Sequence, residues 1–233
     1  MGETLVHPPT FRRLAVMAVP MVVSQASETV MRFADRLFLS RLGPLHIAAG
    51  VSGGLSAFVF SSLFAGLVGY TNALVGQYWG AGHRDRSVQA VTQGVYLSLA
   101  LIPVLLAMIP LVRLLFEAAG HTPRQVELEH TYFSIMMAGS VFLLLRQTLA
   151  GFFLGIGRTR IVMIANVSGM LVNVPLNYVL IFGKLGVPAL GIRGAAIATV
   201  VGSAVIVVVL LLAWVGHPLV RALPAREAAR LRP

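Results

Sequence analysis

The stretch LAVMAVPMVVSQASETVMRFADRLFL, residues Leu14–Leu39, is the segment that decides the fold of this chain. It is longer than the run of about 20 mainly apolar residues that an α-helix needs to cross a bilayer. It also carries Glu28, Arg32 and Asp35, which are spaced i, i+4 and i+7. These charges lie on one stripe of a helix, so Arg32 is within reach of both acids. Because a charged stripe in lipid is costly, we expect it to face protein or a water-filled cavity.

Five further apolar runs follow the first. The six runs are Leu14–Leu39, Ile47–Leu74, Val88–Leu115, Tyr132–Leu154, Ile161–Phe182 and Ala195–Val215. The chain is 57% hydrophobic and only 11% charged, whereas soluble domains carry about 25% charged residues. Backbone groups in lipid must be bonded within their own segment, and the runs lack the alternation of a barrel strand. The sequence therefore predicts an all-α membrane protein, with a six-helix transmembrane bundle over residues 14–216.

The basic residues predict how the bundle is oriented. Six spans place both chain ends on one side of the membrane. Ten basic residues fall on that side: Arg12, Arg13, Arg84, Arg86, Arg158, Arg160, Arg221, Arg226, Arg230 and Arg232. Six fall on the other: Arg36, Arg41, Arg113, Arg124, Lys184 and Arg193. The positive-inside rule then makes residues 1–13 and the basic tail 217–233 cytoplasmic, in a multi-pass protein of the cell (inner) membrane.

Several functional classes are excluded by what the sequence lacks. The formal net charge is +10, but the arginines lie at the ends of apolar runs and form no basic face, which excludes nucleic acid as a partner. There is no cysteine, the histidines are scattered, and no nucleophile motif or zinc helix appears. We therefore expect a membrane protein in contact with lipid, with no enzymatic activity, no cofactor and no metal centre.

Polar residues within the apolar runs are the candidate functional residues. Asn173 and Asn177 share one face of the fifth helix, and Thr199 is the only hydroxyl near the start of the sixth. Buried amides need partners, so the asparagines either bridge helices or offer carbonyl oxygens to a cation or substrate. Arg146 and Gln147 lie in the middle of the fourth run and are expected to pair with an acid of the first helix.

Other polar positions have two open interpretations. Gln25, Tyr70 and Asn72 line a cavity or belong to the ordinary packing and the interfacial belt. Glu28 and Arg32 form either a structural salt bridge that anchors the first helix or part of a proton or cation relay. The residues by themselves do not decide between these interpretations.

Four segments together resemble the N-terminal half of the MATE (multidrug and toxic compound extrusion) transporters. They are the first helix, LVGQYWGAGHRDRS, GIGRTR, and NVPLNYVLIFGKLGVPALGIRGAAIATVVG. The resemblance implies one lobe of a twelve-helix protein, in which two six-helix lobes surround a central cavity. It also implies an antiporter that exports cationic, amphipathic drugs and toxic compounds in exchange for Na⁺ or H⁺.

The resemblance also assigns site residues. Asp35 matches the helix-1 aspartate that is tied to cation coupling, Thr199 matches a helix-6 threonine, and the helix-5 pattern falls on Asn173 and Asn177. One branch of the family has a carboxylate at the position of Asn177, so this departure leaves Asp35 as the main titratable group. The coupling ion, Na⁺ or H⁺, would be the only bound ion.

The resemblance further implies a second six-helix lobe. That lobe would come from the same gene product, a second copy or another chain, with residues 217–233 as the start of the inter-lobe linker. Two other functions stay open at this point. They are a flippase for lipid-linked precursors from the same superfamily, and a structural membrane subunit that transports nothing.

Overall fold

The computed structural model describes residues 11–222, with side chains from Leu14 to Arg221, and this range consists of helices joined by short turns. The helices are α1 (Phe11–Ser40), α2 (Pro44–Gly80), α3 (Arg84–Ala100), α4 (Ile102–Ala118), α5 (Pro123–Ala138), α6 (Ser140–Gly155), α7 (Thr159–Phe182), α8 (Ile192–Val215) and α9 (Pro218–Ala222). Most of segment 1–13 and most of tail 217–233 lie outside the described residues, so those two assignments stay predictions.

The helices form six membrane crossings. In the described range, α1, α2, the α3–α4 pair, α7 and α8 are each long and apolar enough to span a bilayer. The α5–α6 pair, which is bent by 43°, passes the same test when its two helices are counted as one broken span, and this count gives six crossings. This architecture confirms the prediction of an all-α bundle with six spans. The turns 41–43, 119–122 and 183–191 therefore lie at one end of the bundle, and turns 81–83 and 156–158 lie at the other.

Two of the crossings are broken helices. The third breaks at Leu101, and Pro103 lies in the first turn of α4, where the missing N–H of proline costs little. The fourth breaks at Gly139, where a Cβ atom would lie 2.3 Å from a methyl group of Val200 on α8. The proline was evident in the sequence, whereas the glycine break depends on how closely α8 approaches and was not predicted.

The segment EAAGHTPRQVELEH, predicted to be a break between spans, is only partly a loop. Pro123 begins α5, and the hydroxyl of Thr122 caps the helix by accepting a hydrogen bond from the Gln125 N–H at 3.4 Å. Threonine followed by proline is a common start of a helix. The helix therefore begins earlier than expected, and Glu129 lies inside the bundle instead of in a polar loop.

Tight glycine contacts hold the helices together. The buried core is made of three clusters, in which α7 packs on α8 and α1, and α2 packs on α5 and α6. Glycines four residues apart on a helix predict close contact with a neighbouring helix, and the sequence has three such pairs: Gly50 and Gly54, Gly76 and Gly80, and Gly151 and Gly155. Gly50 and Gly54 contact Leu39 and Tyr132, and Gly151 and Gly155 contact α2. The prediction was wrong for Gly80, where an added side chain would meet open space. Gly76 takes part in a close contact through its backbone nitrogen, which lies 3.2 Å from the position that a Cβ atom would take at Gly155.

The turns before α3 and α7 confirm another prediction. The glycines of the motifs GAGHRDR and GIGRTR predict a left-handed end to one helix just before the next begins. Gly82 has φ +79° and Gly157 has φ +76°, a conformation that residues with a Cβ atom rarely adopt.

We expect Gly194→Ala to destabilise the bundle by about 2 kcal/mol, because overpacking a tight contact costs on the order of 1–3 kcal/mol. A Cβ atom at position 194 of α8 would lie 2.7 Å from the carbonyl oxygen of Leu180 on α7, and backbone cannot rotate away. Gly76→Ala is the matched control. It is expected to be neutral or stabilising, since it adds a methyl group to open space. Unfolding in detergent mixtures measures both, and equal stabilities would contradict the prediction.

Candidate functional site

Asp35 is held by side chains from two other helices. The Tyr132 hydroxyl on α5 donates a hydrogen bond to Oδ2 at 3.1 Å. The Asn177 Nδ2 on α7 donates to Oδ1 at 2.9 Å. Arg32, which the sequence placed within reach of this carboxylate, instead lies 3.8 Å from Glu28. The stripe of α1 is therefore divided, because Asp35 turns toward α5 and α7 whereas Arg32 stays largely exposed.

Two buried amides belong to the same face of α7, and one of them, Asn177, bonds to this carboxylate. Asn173 and Asn177 are 1% and 0% exposed and stand one turn apart on the same face of α7. The Oδ1 atom of each has no hydrogen-bond partner among the described residues. An unbonded amide oxygen in the interior is unfavourable, and native structures rarely leave one without a partner or ligand. Carboxylate and amide oxygens are also the ligands that hard cations such as Na⁺ prefer, so this residue set fits a small cation.

Tyr132 connects the aspartate to α8. The side chain of Thr199 interacts with the Tyr132 hydroxyl, and Arg36 is the positive charge whose field acts on both Tyr132 and Asp35. The structure thus brings Asp35, Asn177 and Thr199 to one place, with Tyr132 between two of them. Sequence reasoning missed Tyr132. The available signal was a tyrosine hydroxyl in an apolar run, because a buried hydroxyl needs a partner.

Glu28 forms a separate cluster nearer the middle of α1. Its Oε1 atom accepts a hydrogen bond from Arg146 of α6, and both side chains are about four-fifths buried. Of the two partners considered for Arg146 from the sequence, the structure selects Glu28. This ion pair ties α1 to α6, and it has no hydrogen bond to the Asp35 site among the described residues.

The remaining candidate residues lie outside both of these clusters, either against a neighbouring helix or on the surface. Gln147 lies against Gly69 of α2, with its Nε2 atom 3.1 Å from the position a Cβ atom would take there, and it does not pair with an acid. Gln25, Tyr70 and Asn72 are exposed on the surface of this six-helix unit. Their role as cavity-lining residues stays a prediction. The residues from 14 to 222 contain no cluster of three or more metal-binding side chains.

The comparison with known families decides the identity of the fold. A sequence model of the MatE family matches residues 20–179, which is most of the chain. The chain belongs to the MatE family. That match includes Asp35, Asn173 and Asn177 on a single family domain, together with the helices that carry them. The resemblance inferred from the sequence motifs is thereby confirmed.

Relatives of this MatE chain are named as drug-resistance proteins. The multidrug resistance protein MdtK of Edwardsiella ictaluri is 30% identical over 81% of the chain and 41% of MdtK. The probable multidrug resistance protein NorM of Synechococcus sp. is 30% identical over 93% of the chain and 47% of NorM. The chain thus spans about half the length of these relatives. Members of the family are secondary transporters and not enzymes.

A solved structure shows the same architecture. The outward-facing conformation of a multidrug resistance MATE family transporter superimposes with a TM-score of 0.81 at 25% identity. The match covers 94% of this chain and 48% of the solved chain. The MatE chain is therefore a multi-pass membrane protein whose six helices have the arrangement found in about half of a solved MATE transporter.

Proposed function

We propose that this chain is one six-helix lobe of an antiporter that exports cationic, amphipathic drugs in exchange for Na⁺ or H⁺. The observation that carries the proposal is the carboxylate of Asp35, held between α5 and α7 by Tyr132 and Asn177, in a bundle in which Asn177 and its α7 neighbour Asn173 each bury an unbonded amide oxygen. A group of this kind inside a membrane bundle is a functional candidate by default, because burying it without a purpose is costly.

Ion binding at this site would change the bonding of Asp35. A cation would be held by the carboxylate together with the amide oxygens of Asn173 and Asn177, with Thr199 close by. A proton would convert one carboxylate oxygen from an acceptor to a donor and so alter its bond to Tyr132 or Asn177. Either event neutralises the negative charge of the Asp35 carboxylate, which links α1 to α5 and α7 through hydrogen bonds.

The loss of this charge is proposed to shift α1 between two forms. Pro20 interrupts the hydrogen bonding of α1 and is a natural position for a bend. The ion shifts the balance only by its differential affinity for the straight and bent forms. Export then follows if one form binds the drug more weakly than the other. The substrate class rests on the drug-resistance names of the relatives.

The rest of the proposal concerns assembly and orientation. A second six-helix lobe, from the same gene product, a second copy or another chain, would complete the central cavity. The proposal places the lobe in the cell membrane with both ends in the cytoplasm, because ten basic residues fall on that side and six on the other.

Ion binding to the purified chain tests the proposal without requiring a second lobe. The chain is placed in lipid nanodiscs, and binding of ²²Na⁺ is measured from pH 5 to pH 8, together with the protons that the chain takes up. We expect either saturable Na⁺ binding or an Asp35-dependent proton uptake, and the ion that binds identifies the coupling ion. Efflux of a cationic dye from vesicles under separate Na⁺ and pH gradients completes the test. The absence of both kinds of ion binding would overturn the proposal.

A further inference from the structure

Glu129 is a fully buried carboxylate with no role in the Asp35 site. It lies on α5 and is 0% exposed. Its Oε1 atom accepts hydrogen bonds from the Ser52 hydroxyl of α2 and from the Gln125 amide at 2.8 Å. Its Oε2 atom lies 2.8 Å from Nδ1 of His121, in the turn between α4 and α5. All the hydrogen bonds that hold this carboxylate therefore come from neutral groups, apart from one imidazole.

His121 lies between this carboxylate and the surface. Its side chain is 29% exposed, and its ring stacks on Phe116 at 6.2 Å between the ring centres. Water can therefore reach the imidazole although it cannot reach the carboxylate. Arg124 and Glu127, the charged residues nearest in sequence on α5, pair with each other at 2.7 Å on the exposed face.

The other elements around Glu129 add no charge to the pair. Ser52 supplies a hydroxyl from α2, and the neighbouring cluster between α5 and α8 is apolar apart from Tyr132. Tyr132 is one turn further along α5 and bonds to Asp35. In the described part of the chain, His121 is thus the one titratable side chain that hydrogen-bonds to the Glu129 carboxylate, and no hydrogen bond links the carboxylate to the ring of its neighbour His130. Both ring nitrogens of a protonated imidazole are donors, so His121 can offer this carboxylate a proton at Nδ1 while its other nitrogen faces water.

We propose that Glu129 and His121 form a proton-binding site, in which His121 exchanges protons with water and Glu129 holds one inside the bundle. In the transfer, the N–H bond at Nδ1 of the imidazolium breaks and an O–H bond forms at Oε2, leaving a neutral imidazole and a neutral acid. With one proton the pair is neutral overall, and without it the pair buries a net negative charge, which is unfavourable. The inference rests on the proposed function and gives it a second titratable site, one helical turn from Tyr132.

Infrared difference spectra of the chain in nanodiscs, recorded between pH 8 and pH 5, test this site. We expect a carboxylic acid band from a buried group that is lost in Glu129→Gln. The matched control Glu127→Gln changes an exposed acid on the same helix and should keep the band. If Glu129→Gln does not fold, Ser52→Ala identifies the band instead, because removing a hydrogen bond from Oε1 shifts its frequency.

The rate of protonation tests the part assigned to His121. After a light-triggered drop in pH, the band should appear about 10²-fold more slowly in His121→Phe, since a positioned proton donor accelerates transfer by roughly that factor. His46→Phe, at the same end of the bundle, is the control and should keep the wild-type rate.

Two results would overturn the proton-binding site. One is a spectrum unchanged by Glu129→Gln and Ser52→Ala, and the other is a wild-type rate in His121→Phe. Asp35→Asn separates this inference from the proposed function, because it should abolish ion coupling while keeping the Glu129 band. An Asp35→Asn protein that still couples would overturn the proposed function and leave the result for Glu129 standing.

Discussion

Asp35→Asn abolishes ion-coupled export, reducing dye efflux to the level of vesicles that lack the protein, while the chain still inserts and folds. An amide has nearly the size of the carboxylate, and its oxygen can still accept the hydrogen bond from Asn177, while its NH2 group would donate to the Tyr132 hydroxyl and so reverse that bond. It carries no negative charge and takes up no proton, so neither Na⁺ nor H⁺ can be exchanged at this position. Efflux under Na⁺ and pH gradients, measured beside ²²Na⁺ binding, checks this result.

The chain provides a matched control for this substitution. Asp85→Asn makes the same chemical change at the exposed first turn of α3, away from the Asp35 site. It should leave efflux and ion binding as they are in the wild type. If Asp35→Asn retained coupled efflux while binding no ion, the coupling would have to lie elsewhere, and the assignment of Asp35 would be wrong.

Arg146→Met destabilises the bundle by about 3 kcal/mol, because removing one partner of a buried ion pair leaves the other charge without compensation. The partner here is Glu28, whose side chain is 22% exposed against 19% for Arg146. In the double variant Glu28→Gln, Arg146→Met no buried charge is left unpaired, because Arg32, the other partner of Glu28, is 64% exposed, and most of the stability should return. Unfolding of the chain in detergent mixtures measures the three free energies as a double-mutant cycle.

An exposed ion pair provides the comparison for this cycle. Arg113 and Glu117 on α4 are 64% and 50% exposed, so Arg113→Met should cost less than about 1 kcal/mol. The cycle also decides between the two interpretations of Glu28 that the sequence left open. A structural pair predicts a double variant that regains both stability and efflux. A relay predicts one that regains stability and stays inactive.

The membrane spans could be predicted because lipid imposes a simple requirement of length and apolarity on each segment. Helix ends could also be predicted where local residues determine them, as at Gly82 and Gly157, which adopt the left-handed conformation. The predictions of helix boundaries and of burial failed where contacts with a distant part of the chain determine them. The break of the fourth crossing at Gly139, which packs against Val200 of α8, was not predicted, and Glu129 was assigned to a loop because its partners Ser52 and His121 are not adjacent in sequence.

In the candidate site, too, the polar residues could be identified from the sequence but their partners could not. Asp35, Asn173 and Asn177 stood out because polar side chains are rare in apolar runs and need a reason to be there. Spacing on α1 suggested that Arg32 would serve both acids. In the structure Glu28 pairs with Arg146, and Asp35 turns to Tyr132 and Asn177. Helical spacing defines which residues share a face, but it does not define which neighbouring helix that face meets.

The sequence by itself determined the class of the protein, the number of crossings and the polar residues that the membrane must accommodate, because these depend on local composition and on the thickness of a bilayer. Only the tertiary structure decided the partners of each polar group. It placed Asp35 between α5 and α7, joined Glu28 to Arg146, and buried Glu129 behind His121. The reason is physical: a hydrogen bond between side chains acts over about 3 Å, and residues far apart in the chain reach that distance only when the helices pack.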